Sequence, residues 1–252
     1  MTSKYNGMVS SDWNECLAPC GPFDPISFAY PELEAGLSVI FGKYTSNQIS
    51  LSEASRRLGE LLPQPVSEKQ MDAYLEASFT TYKGVGDLIQ YCIEKHILFM
   101  INTTGMQGYF QRALAKHFLS EGIVVAANPM IAYPGYEGRM YEVREIEDKA
   151  QNTAAVFQEH GLPAEKLIIV GDSGGDGPHF AWGASVGAHL VGCMTKPSLE
   201  KFCREKGIRI NTRFGVNYGE GAKKDQAREM NVDFMGLVPV IKKVLMDERN
   251  ES

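Results

Sequence analysis

The sequence predicts an α/β fold: a parallel sheet covered by helices on both faces, with a purely helical segment inserted after the first strand. Three observations carry this. Short continuous apolar runs, such as 97–101 (ILFMI) and 167–170 (LIIV), recur beyond residue 84; strands buried on both faces read this way. Stretches with helical spacing separate those runs, as in a sheet wound with crossover helices. From about residue 27 to 82 the spacing is helical and no strand candidate of useful length occurs.

Taken in order, 7–11 (GMVSS) is a short, half-apolar first strand that runs directly into Asp12. One Gly and two Pro in 20–25 (CGPFDP) then break the chain. Residues 51–62 form a helix behind a Ser cap, and Ser67 opens another with Met71, Tyr74, Leu75 and Phe79 on one face. After Gly84-Val-Gly86, helices are expected at 87–95, 107–118 and 150–159, and strands at 97–101, 123–127, 167–170 and 188–191. Turn residues and the β-like pieces 130–133 and 140–143 predict a hairpin between 128 and 147. The expected domains are therefore a core of 1–21 and 83–252 and a helical cap of 22–82.

Composition narrows the function. The 252 residues hold 25 Lys+Arg against 31 Asp+Glu, a net charge of −6, with 44% apolar and 22% charged residues. That is an ordinary globular composition, and scattered basic residues in an acidic chain argue against nucleic-acid or anionic-membrane partners. No apolar run approaches the roughly 20 residues of a membrane helix, and MTSKYNGMVSS lacks the apolar stretch of a signal peptide. Five cysteines, an odd number without a C-x-x-C pair, read as reduced thiols of a cytoplasmic protein. Oligomeric state is not legible.

In open parallel sheets, sites lie beyond the carboxyl ends of the strands. There the first strand presents Asp12 and Asn14; ILFMI presents Asn102-Thr103-Thr104-Gly105; LIIV presents Gly171-Asp172 and, four residues on, Asp176. Lys149 opens the helix that leads to LIIV. Carboxylates so gathered suit Mg²⁺, which takes hard oxygen ligands and keeps positions open for phosphate. A carboxylate can also attack phosphorus, while a lysine and a hydroxyl stabilise phosphoryl oxygens.

Asp12-x-Asn14-x-Cys16-Leu17, Thr103, Lys149 and Gly171-Asp172-x-x-x-Asp176 resemble, in order and spacing, the four motifs of the haloacid dehalogenase (HAD) superfamily. The helical insert resembles that family's C1 cap, and 195–205 (TKPSLEKFCRE) is similar to its phosphoserine-phosphatase-like branch. The resemblance implies a Rossmann-like core and Mg²⁺-dependent hydrolysis of a small phosphorylated metabolite. It makes Asp12 the nucleophile and a metal ligand, with Asn14 lending its backbone carbonyl. It makes Thr103 the phosphoryl-binding hydroxyl, with Thr104 competing for that role beside Gly105. Lys149 would bridge Asp12 and phosphate, Asp172 would be the second acidic ligand, and Asp176 would stand near the metal.

The first motif departs from the family pattern. Asn14 replaces the Asp that serves as general acid/base, Glu15 stands where Gly is usual, and Cys16 where Thr is usual. Asn transfers no proton at neutral pH, a loss worth about 10²–10⁴ in rate. Glu15 is a candidate substitute. Branches lacking the second Asp include phosphonoacetaldehyde hydrolases, whose first motif also reads Asp-Trp and whose cap lysine forms an imine; Lys43 corresponds by region, against the plainer reading of a surface lysine.

Other readings compete. Gly171-Asp-Ser-Gly-Gly175 fits the G-x-S-x-G elbow of serine hydrolases around Ser173, with His179 or His189 as the base; the plainer reading makes His179 structural. Cys16 and Cys20 read as packed thiols. A HAD-fold protein reduced to binding or regulation is the non-catalytic reading. Phe23, Phe28, Tyr30 and Arg56 are cap residues that could select a substrate.

Overall fold

A computed structural model describes residues 4–45, 48–135 and 140–246. Among these, seven strands form one parallel sheet: β1 (Gly7–Ser11), β2 (Ile97–Met106), β3 (Val124–Asn128), β4 (Tyr141–Glu142), β5 (Leu167–Gly171), β6 (His189–Cys193) and β7 (Thr212–Phe214). Their order is β4-β3-β2-β1-β5-β6-β7. The central strand β1 pairs with both β2 (Val9↔Phe99) and β5 (Val9↔Ile168). The carboxyl ends of those three strands therefore lie side by side.

Five helices fall between β1 and β2: α1 (Asp24–Ala29), α2 (Glu34–Thr45), α3 (Leu51–Leu61) and α4 (Glu68–Ser78), which make up the insert, and then α5 (Val85–Glu94). The remainder are α6 (Gln107–Ala115), α7 (Asp148–Glu159), α8 (Gly177–Ser185), α9 (Pro197–Lys206), α10 (Gln226–Glu229) and α11 (Val238–Leu245). None of the described helices is long and apolar enough to cross a membrane.

Alternation along each strand splits the core in two. Val9, Phe99, Ile101, Ile168 and Val170 pack on one side with Trp13, Leu88, Phe110 and Ile241. Met8, Leu98, Met100 and Ile169 pack on the other with Val156, Phe180 and Leu199. Both sides are helix-covered, which is why ILFMI and LIIV are apolar without interruption.

The insert carries its own start signals. Ser50 accepts from Glu53 N at the start of α3, and Ser67 forms a reciprocal capping box with Gln70 at α4. Arg112 of α6 reaches across to Asp72 and Glu68 of α4, at 2.7 Å each. Glu145 accepts from the first backbone N–H groups of α3, at Leu51 and Ser52. The insert is thus fastened to the sheet-bearing part at two separate places.

Two expectations are corrected. The predicted hairpin between 128 and 147 does not form: Met130–Tyr133 is turn and loop, and β4 pairs in parallel with β3 (Ala126↔Tyr141, Ala127↔Glu142). Pro129 and Pro134 lack the N–H groups an antiparallel ladder needs, and Gln111 accepts from Tyr133 N at 2.7 Å, holding the loop against α6. Residues 136–139 of the expected hairpin lie outside the described residues. The strand β2 also runs five residues past ILFMI, with a register irregularity between Asn102 and Met106.

Beneath the strand ends, Thr153 of α7 binds Ser10 of β1, Asn102 of β2 and His179 of α8, each at 2.9 Å. Asn102 donates to Thr153, so Thr153 turns its own proton to Ser10 or His179 and ties four elements together. His179 is structural, in keeping with its plainer reading. Burial, reinforced by the Lys149 charge, pushes its imidazole down to about 3.

That shift sets a pH dependence. An unfolded histidine titrates near 6.5, so the unfolded chain takes up a proton the native imidazole refuses. The stabilisation from neutral His179 is whole above about pH 6.5 and drains away as pH falls toward 3. Between pH 7.5 and 5 the unfolding free energy of the native chain should drop by about 2 kcal/mol more than that of His179→Gln, as read from urea titrations at the two pH values.

Candidate active site

The site grows from the end of β1. Asp12 N continues the ladder to Val170 O at 3.0 Å, and the Asp12 carboxylate accepts from Trp13 N at 2.7 Å. Trp13 is fully buried and packs edge-on against Phe110, with centroids 5.8 Å apart. Its carbonyl then collects three N–H groups, from Cys16, Leu17 and Ala18 at 2.9–3.2 Å. This knot forces Glu15 into the left-handed region at φ +58°, which explains why glycine is the usual residue there.

Lys149, the second residue of α7, is 1% exposed and lies between two carboxylates. Its Nζ is 2.7 Å from Asp176 Oδ1 and 3.3 Å from Asp12 Oδ2. Burial disfavours the ammonium, but Asp12 and Asp176 outweigh it and hold Lys149 far above the usual lysine range. The second Asp176 oxygen accepts from the N–H groups of Asp172 and Ser173. A Cβ at Gly171 would meet that carboxylate at 2.6 Å, so the bare backbone at 171 is what admits Asp176. Burial alone would favour the neutral acid, yet the Lys149 pair and these N–H groups hold Asp176 below the usual carboxylate range.

Asp172 is just as buried. Burial pushes its carboxyl up to about 8, against the attraction of Lys196, whose Nζ lies 2.6 Å away. The same ammonium pairs with Glu15, which in turn pairs with Lys224 at 2.6 Å. Although burial favours the neutral acid, the two lysines hold Glu15 below the usual carboxylate range. Glu15 is therefore an ionised bridge between lysines and an unsuitable proton donor, contrary to the candidate role read from the sequence.

One carboxylate oxygen from each of Asp12, Asp172 and Asp176 lies within 4.8 Å of the others. Hard oxygen donors at this spacing suit a divalent cation. Burial first, and the neighbouring Asp176 and Asp12 after it, raise the Asp172 carboxyl, and a cation bound there would favour its ionised form. The donor set fits the expected metal.

Asp12, Asp172 and Lys149 line a cavity of about 360 Å³, together with Asn14, Glu15, Thr104, Ser173, Lys196 and, from the insert, Pro22, Phe41, Tyr44 and Thr45, while Asp176 lies behind it. Thr103 does not line it. Its hydroxyl donates to Asn14 Oδ1 at 3.0 Å and accepts from Gly105 N at 3.2 Å. Gly105 does not line the cavity either: a Cβ there would sit 2.6 Å from Asn14 Oδ1, so its bareness makes room for the Asn14 amide. Of the two threonines on this strand, Thr104 is the one that lines the cavity.

Phe23, Phe28, Tyr30 and Arg56, the selector candidates of the sequence, also lie off the cavity. Phe23 packs edge-on against Phe41, Phe28 packs against Tyr74, and Arg56 pairs with Glu53 and Glu60 on its own helix. Lys43 is not among the lining residues. Sequence reasoning missed Tyr44 and Lys196. The signal for Lys196 was its place three residues past β6, at the same sheet edge; nothing local marks Tyr44.

Ser173 has no histidine partner. His179 is committed to Thr153, and His189 to Thr212 at 2.9 Å. The serine-hydrolase reading therefore fails on geometry. Cys16 and Cys20 are free thiols, Cys16 fully buried and Cys20 partly so.

No protein-family model matches this chain, and no curated protein matches it in sequence. Solved structures do match in fold. A phosphoserine phosphatase captured as a phospho-aspartyl intermediate analogue superposes with a TM-score of 0.66 at 14% identity, covering 94% of this chain and all of its own. A HAD family hydrolase from Salmonella enterica serovar Typhi gives 0.66 at 15% identity, over 98% of this chain and 73% of its own. A cytosolic 5'-nucleotidase IIIB bound to cytidine gives 0.51 at 13% identity, over 75% and 74%. The chain shares the fold of these phosphoserine phosphatase and HAD hydrolase structures.

Lys149 is the charge on which the carboxylate cluster leans. Lys149→Met should destabilise the protein by about 3–5 kcal/mol in urea unfolding, because it strands buried carboxylates. Adding Asp176→Asn to that variant should cost less than it does in the native background, since the two residues share one interaction.

Proposed function

We propose that this chain is a Mg²⁺-dependent hydrolase of small phosphorylated metabolites that works through an aspartyl-phosphate on Asp12. The observation that supports it best is the placement of Asp12 in the cavity, 3.3 Å from the Lys149 ammonium and grouped with Asp172 and Asp176. In this reading residues 22–82 form a cap over a catalytic core of 1–21 and 83–252, and the substrate sits between them.

Asp12, Asp172 and the backbone carbonyl of Asn14 would hold Mg²⁺. Both Asp176 oxygens are already engaged, so Asp176 serves mainly to aim Lys149 and the 172–173 backbone. The metal, when bound, supplies charge neutralisation for the phosphoryl oxygens and their alignment with Asp12. Asp12 Oδ2, the oxygen on the Lys149 side, attacks phosphorus while Lys149 and Thr104 stabilise the charge that builds on the phosphoryl group. Thr103 keeps its earlier importance in another form: it braces Asn14, so the loop that carries the carbonyl stays in place.

The competing readings lose ground on particular residues. A carbon–phosphorus hydrolase working through an imine needs a neutral amine at the site. The lining amines are Lys149 and Lys196, and carboxylates hold both protonated. A purely binding role would leave the buried Asp12–Lys149–Asp176 group without a task, although taking such ions out of water costs several kcal/mol each.

The test is phosphate release from p-nitrophenyl phosphate and a panel of small phosphoesters. Turnover should require Mg²⁺, vanish in EDTA and fall at least 10³-fold in Asp12→Asn. Turnover that survives Asp12→Asn, or a folded protein inert toward every ester, overturns the proposal.

A further inference from the structure

Breaking an alkyl phosphate ester leaves an alkoxide that must be protonated, and the obvious donors here are disqualified. Asn14 has no acidic proton, and its amide is occupied by Cys20 O at 3.3 Å and Thr103. Glu15 is clamped between two lysines. Lys149 and Lys196 are held by carboxylates, and Asp172 is paired with Lys196 and is taken up as a metal ligand in the proposed reaction. His179 is fully buried and bonded to Thr153.

Tyr44 is different. The last turn of α2 brings its phenol from the insert into the cavity shared with Asp12, Asn14, Thr104 and Lys149. Burial keeps the phenol protonated at neutral pH, with the Lys149 charge pulling the other way. The Lys149 charge offsets part of the cost that burial, Asp12 and Asp176 lay on the phenolate. Phe41, one turn earlier on α2, also lines the cavity and packs against Phe23, so this face of the helix is fixed at the site by aromatic contact.

We propose that Tyr44 donates the proton to the leaving-group oxygen, taking over the task that Asn14 cannot perform. The inference rests on the phosphomonoester reading above. In the first step Asp12 bonds to phosphorus and the ester P–O bond breaks, its electron pair going to the leaving oxygen. That oxygen takes the Tyr44 proton, giving a neutral alcohol and a phenolate near Lys149 and Thr104. In the second step water attacks phosphorus, the P–O bond to Asp12 breaks, and a water proton returns to Tyr44. Ester and water enter; alcohol and phosphate leave.

The test compares kcat/KM of the full chain and Tyr44→Phe, with Mg²⁺, across p-nitrophenyl, phenyl and simple alkyl phosphates. Loss of a proton donor bites in proportion to leaving-group basicity. Tyr44→Phe should lower alkyl phosphate turnover by 10²-fold or more and p-nitrophenyl phosphate turnover at least tenfold less. Equal losses on both, as from disturbed packing, overturn the proposal, and so does no loss. If the variant fails to fold, the native enzyme still decides: a shallow dependence on leaving-group pKa is expected, and a steep one overturns the proposal. Asp12-dependent aryl turnover without a selective Tyr44 effect removes only this role. A native protein inert on all esters removes the phosphomonoester reading and this role with it.

Discussion

Three carboxylates buried within 4.8 Å of one another cannot all be ionised unless positive charge is held among them. Much of the molecule around the sheet edge answers that constraint. Lys149 reaches in from α7 to join Asp12 and Asp176, and Lys196 reaches in from the end of β6 to Asp172. The requirement continues outward. Lys196 is itself balanced by Glu15, Glu15 by Lys224, and Lys224 lies 3.8 Å from the buried Glu229. Glu229 accepts from Tyr82 and Tyr218 at 2.7 and 2.8 Å. A charge alternation thus runs from Asp172, beside the candidate nucleophile, to the junction of the insert with α5 and to the segment after β7.

This chain of charges accounts for the least expected residue of the first motif. Glu15 stands in left-handed backbone, a conformation that costs an L-residue about 1–2 kcal/mol. A glycine would avoid that cost but would remove the carboxylate that Lys196 and Lys224 share. Two charge-assisted contacts at a partly buried carboxylate offset strain of this size. The departure from glycine and the lysine at 224 are two halves of one arrangement, separated by 209 residues of sequence.

Much of the fold was legible because its physics is local. Strands with both faces buried must be apolar throughout, so β2 and β5 stand out as ILFMI and LIIV, and Ser50 and Ser67 announce α3 and α4 through their side-chain caps. Asp12, Lys149, Asp172 and Asp176 were legible because parallel strands deliver whatever follows them to one edge. The illegible parts depend on distant partners. Tyr141–Glu142 and Thr212–Phe214 are too short to carry periodicity, and they become strands only because β3 and β6 offer free edges. Thr103 and Thr104 look equivalent in sequence; the pleat and the bulge in β2 turn one toward Asn14 and the other toward the cavity. The aromatic residues of the insert divide between its own packing and the cavity by a helix orientation that no single segment encodes.

The Asn14 site shows how structural and chemical demands separate at one position. An aspartate there would serve chemistry but would bring a further negative charge to a group already short of cations. An asparagine keeps the shape: its amide spans Thr103 and Cys20, fills the space left by Gly105 and steadies the loop after Asp12. The price is the proton, and a donor must then come from a neutral group, since every nearby ion is committed to the charge balance. Of the side chains that reach the cavity from the insert, the tyrosine on α2 meets that condition. Proton delivery would then depend on how the insert lies over the sheet edge, so the segment placed to choose the substrate would also be required for its turnover.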